Sequence, residues 1–308
     1  MQSSAFQSAA TPADAAPAPF LDVLTLLESS QPRARLGWFW YAGGGFLAVV
    51  LGAALLGNSS EIGRRLVELL SAVLMLGLIV GMSVLTVVTV RKHRGEQQEV
   101  EAAAELVQLR RWPQAAALLE QILSRPSRTG ALRSGALMYL GAVLARYHRF
   151  DDAIAVYDHL LEHDLVDPAS AHGLRLGRAM AMLREDHLFD ADRAIAELRR
   201  TTSDAGIDSA GLALVEMYRD VKTGHPAEAA AIFEEKLPAL REALGHRVGD
   251  AYALAARAYD LMSRPVEAQD SYTKATLLSP LMELHRRYPE VEKLYGRYQA
   301  APAPPEAA

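Results

Sequence analysis

The chain has 308 residues, half of them apolar and 22 % charged, with a formal net charge of -5. That balance excludes general disorder and offers no polybasic surface to nucleic acid. Cysteine is absent, which removes disulfides, thiolate metal sites and a thiol nucleophile together.

Residues 1–36 begin with Ser, Ala, Gln, Thr and Pro and have too few large apolar groups to pack a core, so disorder is expected there. Within them FLDVLTLL is the exception. Phe20, Leu24 and Leu27, with Leu21 beside them, form an apolar stripe at helical spacing, suited to a membrane surface or to packing on a folded neighbour.

Residues 37–90 hold two uncharged runs, Trp38–Leu56 and Leu69–Val90, of 19 and 22 residues. A bilayer core takes about 20 apolar residues as a helix, so each is a membrane span. The connection Gly57–Arg65 is short, which makes the pair an antiparallel hairpin with both long tails on one side. Arg33, Arg35, Arg91, Lys92 and Arg94 flank the outer ends, against Arg64 and Arg65 between the spans. The excess places both termini and all that follows in the cytosol, and the Ala, Leu and Arg bias suggests a bacterial inner membrane. Gly44, Ala48 and Gly52 in the first span, and Gly77 and Gly81 in the second, give small-residue faces for packing within the hairpin or between copies. Glu68 sits one turn from the connection and four residues after Arg64, where pairing at the interface is expected rather than a proton path.

Residues 91–280 change to charged segments with apolar positions three and four apart, the pattern of amphipathic helices. One motif recurs: WPQAAALL at Trp112–Leu119, FDDAIAVY at Phe150–Tyr157, ADRAIAEL at Ala191–Leu198, PAEAAAIF at Pro226–Phe233 and PVEAQDSY at Pro265–Tyr272. Its alanines are Ala115, Ala153, Ala194, Ala229 and Ala268, with extra residues expected near Glu185–Phe189 in the third copy. Ahead of the last four copies stand small or apolar pairs followed by a larger residue, as in Leu140, Gly141, Leu144 and in Ala255, Ala256, Tyr259. Small residues at these places permit close helix crossing, and larger ones fill the grooves beside them.

These motifs resemble the tetratricopeptide repeat (TPR) family, with Tyr252, Ala255, Ala256, Tyr259, Ala268, Tyr272 and Pro280 in register in the last copy. The fold implied is all-α: an N-terminal two-helix transmembrane hairpin, then a TPR-like α-solenoid of about five helix-turn-helix repeats with a C-terminal capping helix pair. Leu281–Tyr298 supplies the capping helices within residues 281–299, and residues 300–308 form a disordered tail. The resemblance also implies protein or peptide partners, held in a groove by Met138, Ala142, Arg146, Arg178, Arg219, Arg257 and Asp260. Arginines there suit an acidic peptide or a terminal carboxylate.

Catalytic motifs are missing. No GxxxxGK[ST], GxGxxG or GxSxG sequence occurs outside the spans, so no nucleotide, cofactor or enzymatic activity is expected. His159 and His163 are four apart on one helical face, but two ligands do not close a zinc site. The expected function is a membrane-anchored scaffold or adaptor that recruits partner proteins. The alternative is a small accessory subunit of a transport or secretion complex, with the hairpin as its working part.

Overall fold

A computed structural model describes residues 21–32, 44, 61–204 and 209–298, and all regular structure among them is helical. Most of the first expected span, including Ala48 and Gly52, lies outside the described residues, as do Arg33, Arg35, residues 1–20 and the 300–308 tail. The helices are α1 (Val23–Ser29), α2 (Glu61–Gln108), α3 (Trp112–Leu123), α4 (Gly130–Arg146), α5 (Phe150–Glu162), α6 (Pro168–Arg184) and α7 (Leu188–Asp204). They continue as α8 (Ala210–Thr223), α9 (Pro226–Leu244), α10 (Val248–Leu261), α11 (Pro265–Leu278), α12 (Leu281–Arg287) and α13 (Pro289–Tyr298).

The turns reveal the repeat. Arg110, His148, Asp186, Gly224 and Ser263 all have positive φ, between 57° and 80°, and they lie 38, 38, 38 and 39 residues apart. Each stands two residues before a helix, in the left-handed conformation that ends one helix and releases the chain into the next. The following residue is Arg111, Arg149, His187, His225 or Arg264, a basic side chain just past the C-terminus of the preceding helix, where the helix dipole favours a cation. Its amide bonds back across the turn from Arg111 to Leu106, His187 to Met182, His225 to Asp220 and Arg264 to Tyr259, at 2.8–2.9 Å.

This geometry corrects the third motif copy. Five residues after each positive-φ turn come Ala115, Ala153, Ala191, Ala229 and Ala268, all with no exposed surface, so the equivalent alanine is Ala191, not Ala194. Glu185–Phe189 is the ordinary turn and holds no insertion. The irregularity lies elsewhere: α8 and α10 are 14 residues long against 17 for α4 and α6, while α7 and α9 extend to 17 and 19. The first helix loses about one turn, the second half of the repeat gains it, and the period is kept.

The chain divides into two compact units at Tyr147/His148. In the first, α2 is a single helix of 48 residues that crosses position 90 without a break. Its apolar part is exposed on every side described, with Val73, Leu76, Ile79, Val80, Val84 and Val87 all more than half exposed. Met75–Gln108 is, among the described residues, the one stretch long and apolar enough to cross a membrane. The C-terminal part of α2, after Val90, packs on α3 and α4: Ala103 is fully buried, Glu96 pairs with Arg128 at 2.9 Å, and Glu99 pairs with Arg125.

Helix α1 docks on this first unit. Asp22 caps it by accepting from the Thr25 amide, which puts Leu21 and Leu26 in the staple positions on either side of the cap, both buried. The buried set is Leu21, Val23, Leu26 and Leu27, while Leu24, expected in the stripe, is 70 % exposed. Val23, Leu26, Leu27 and Ser30 share one helical face and are buried, and Leu24 falls outside that face. Ser29 Oγ donates to the Leu123 carbonyl at 2.8 Å, and the buried Arg133 donates to Ser30 Oγ and to the Leu27 carbonyl at 3.0 and 2.8 Å. A cation thus closes the carbonyl end of α1.

In the second unit α6 to α11 stack as successive helix pairs around one apolar core that includes Leu183, Ile195, Leu198, Met217, Leu254 and Ala275. Leu284 of α12, Tyr288, and Val291 and Leu294 of α13 belong to that same core, with α13 against α10 and α11.

Candidate functional site

In the first unit Met138 and Ala142 are half-buried on α4, and the Arg146 guanidinium stands 5.4 Å from the Trp112 ring centre. The arginines of the second unit are engaged with carboxylates. Arg178 pairs with Asp158, Arg219 with Asp220 at 2.6 Å and more loosely with Asp192 at 3.6 Å, and Arg257 with Asp260 at 2.7 Å. These three arginines therefore stand in ion pairs, Arg257 and in part Arg219 with a carboxylate of their own helix, and Arg178 and Arg219 with one of a neighbouring helix.

Residues 281–298 pack on α10 and α11 and touch the last residue of α6 and the C-terminal half of α8. Asp260 accepts from Arg297 Nη1 at 2.7 Å and from the Tyr298 hydroxyl at 3.0 Å, besides its bond from Arg257. Arg287 donates to Asp250 at 2.6 Å. Tyr288, in the turn between α12 and α13, is 1 % exposed and meets Tyr218 edge to face, ring centres 5.1 Å apart. Arg184, at the end of α6, lies 5.8 Å from the centre of the same ring. Glu290 stands 3.5 Å from Lys222 Nζ, which lies over the Tyr218 ring at 5.5 Å. Arg286 donates to His148 Nε2 at 3.1 Å, in the turn before α5.

Burial governs the titration of this cluster. Asp250 is 1 % exposed, and burial pushes its carboxyl up, partly offset by Arg287, Arg247 and Arg184. Asp220, equally buried, is likewise pushed up by burial, with Arg219 opposing. The Tyr218 and Tyr288 phenols are pushed up by burial, and the charge of Glu290 adds to this at Tyr218 and that of Asp250 at Tyr288.

His159 and His163 stack with ring centres 4.4 Å apart, and His163 Nδ1 lies 3.0 Å from the His159 carbonyl oxygen. Among the described residues no three His, Cys, Asp or Glu side chains gather as a metal site would require.

No protein-family model matches the chain, and no curated protein matches it either. A solved structure does match: a thermophilic TPR protein of Thermus thermophilus, 20 % identical, with a TM-score of 0.47, over 65 % of this chain and the whole of that one.

Sequence reasoning passed over Arg184, Lys222, Asp250, Tyr288 and Glu290. Two signals pointed to them. Asp250 is an acid two residues before Tyr252 in the otherwise apolar run that opens α10, where a buried charge needs a partner. The run HRRYPE places two arginines, an aromatic anchor and an acid within six residues.

Proposed function

We propose that the protein is a membrane-anchored adaptor whose repeat domain holds protein partners at a bacterial inner membrane, with both termini in the cytosol. The observation that carries this reading is α2. One unbroken helix has an apolar part exposed on all described sides, and a following part whose Ala103 is sealed in the first unit. An exposed apolar helix of that length is unfavourable in water and favourable in lipid.

Helix α1 supports a hairpin. Its Ser30 carbonyl accepts from the Ser127 amide at 3.2 Å, in the loop whose Arg125 and Arg128 pair with Glu99 and Glu96 on α2. Glu96 stands six residues beyond Val90, about 9 Å along the helix. Ser30 therefore lies near where α2 leaves the apolar stretch, which supports reading Trp38–Leu56 as a second crossing that returns the chain to that side. The exposed Arg91, Lys92 and Arg94 are positioned for a cytosolic leaflet.

Alkaline extraction of membranes from cells expressing the full chain tests the anchor, and protease treatment of inverted vesicles tests the side. Retention in the extracted membrane, with the repeat domain cleaved in inverted vesicles only, is the expected result. Release by alkali overturns the anchor, and cleavage restricted to right-side-out vesicles overturns the orientation.

A further inference from the structure

A terminal cap has one task, which is to cover the last helix pair, α10 and α11. Residues 281–298 do this and then reach further. Tyr288 contacts Tyr218 on α8 and lies beneath Arg184 on α6, Glu290 approaches Lys222 on α8, and Arg286 bonds to His148 before α5. One short segment thus packs on α10 and also reaches the C-terminal half of α8 and the last residue of α6. It has a buried aromatic anchor at its centre and charged pairs around it, Arg287 with Asp250 and Arg297 with Asp260 on one side and Glu290 with Lys222 on the other. That is the anatomy of a peptide seated in a recognition groove, an apolar anchor inside a polar rim.

We propose that the face of α6, α8 and α10 is a binding site for a short amphipathic helical peptide of mixed charge with an aromatic anchor, and that residues 281–298 occupy it as an intramolecular stand-in. This rests on the adaptor reading and names the chemistry of the partner: a tyrosine or similar ring for the Tyr218 pocket, an acid for Lys222, and bases for Asp250 and Asp260. The tether is only Ser279 and Pro280, between the end of α11 and the start of α12. A tether this short holds the segment at an effective concentration of order millimolar, so a free peptide at micromolar concentration does not displace it. A partner enters by exceeding that competition or by arriving when the segment is detached.

The test uses the full chain in detergent and a fluorescent synthetic peptide of residues 281–299. The chain is compared with a Tyr288→Ala/Arg297→Ala form, which weakens the resident segment and leaves the face itself unchanged. The peptide is expected to bind the altered chain at least about 100-fold more tightly than the original. A peptide carrying Tyr288→Ala is expected to bind neither. Circular dichroism and hydrogen exchange in α10 check that the altered chain stays folded. In the original chain, amides of 281–298 are expected to exchange faster than those of α10, since the segment opens without the core. Equal affinity of the peptide for both folded chains, or equal exchange of 281–298 and α10, overturns the proposal and makes the segment a permanent part of the core. Peptide binding with no protein partner retained by either chain in native membranes supports the site and refutes the adaptor. Partners retained equally by both chains, with no peptide bound, do the reverse.

Discussion

Replacing Arg287 by Met removes the one direct hydrogen-bonded partner of Asp250, whose side chain is 1 % exposed, while Arg287 itself is 26 % exposed. Breaking a fully buried pair costs about 3–5 kcal/mol, and allowing for the partly solvated arginine leaves about 2–3 kcal/mol at neutral pH. The pH dependence has a definite sign. Burial already holds the folded carboxyl above its ordinary value of 3.8, and loss of Arg287 raises it further. Between 3.8 and that raised value the folded chain binds more protons than the unfolded one, so stability rises as pH falls through the window. The deficit of Arg287→Met is therefore largest at neutral pH and shrinks as pH falls from the variant's raised value to the lower raised value of the original chain, by up to about 1.4 kcal/mol per pH unit. Adding Asp250→Asn removes the charge and is expected to recover most of the loss and all of its pH dependence. Urea unfolding in detergent at pH 7.5 and pH 5, followed by circular dichroism, measures both effects. A deficit below about 0.5 kcal/mol, or one that is the same at both pH values, refutes a buried charged Asp250 held by Arg287.

Other substitutions test the repeat geometry and α1. A methyl group at Gly249 would stand 2.9 Å from Ser279 Oγ and 3.1 Å from Leu278 Cβ, where α10 meets the end of α11. Gly249→Ala should cost about 1–3 kcal/mol in thermal or urea unfolding. At Gly211 the nearest atom is the flexible tip of Leu176, so Gly211→Ala should be neutral or stabilising by up to about 1 kcal/mol. Equal losses at the two sites would contradict this contrast. In the positive-φ turns, Ser263→Gly should stabilise by about 0.5–1 kcal/mol and Gly224→Ala should destabilise by about 1 kcal/mol, because only glycine enters that region without a Cβ clash. Opposite signs would show that the two turns are not equivalent. Leu26→Ala should loosen α1 and expose residues 21–32 to limited proteolysis while α3 and α4 stay protected, at a cost of about 2–4 kcal/mol to docking. Unchanged cleavage would mean that α1 is held by its hydrogen bonds alone.

Much of the build is legible in the sequence because it is written in local, periodic chemistry. The apolar stretch of α2, the five motif copies and the Pro-opened helices α6, α9, α11 and α13 follow from residue spacing and from proline at a helix start. The basic residue after each positive-φ turn was equally local, and it would have set the third copy on Ala191. Reading that copy from the ADRAIAEL pattern misplaced it by three residues, since on an amphipathic helix Ala191 and Ala194 share a face and both are buried.

Three features depended on tertiary structure. Leu24 turns outward because the face of α1 that docks on the first unit carries Val23, Leu26 and Leu27, a choice between two apolar faces that spacing leaves open. Two of the groove arginines meet carboxylates from another helix, Arg178 with Asp158 and Arg219 with Asp192, a matter of distance in space, whereas Asp220 and Asp260 lie on the same helix as Arg219 and Arg257 and were legible as local pairs. The C-terminal segment reaches past α10 to α8 and the end of α6 because Tyr288 finds Tyr218 and Arg184, 70 and 104 positions away. Helical periodicity states which face of an element is apolar. Which distant face it meets is settled only when the whole unit packs, since the gain from burying Tyr288 belongs to the assembled core and to no stretch of the chain alone.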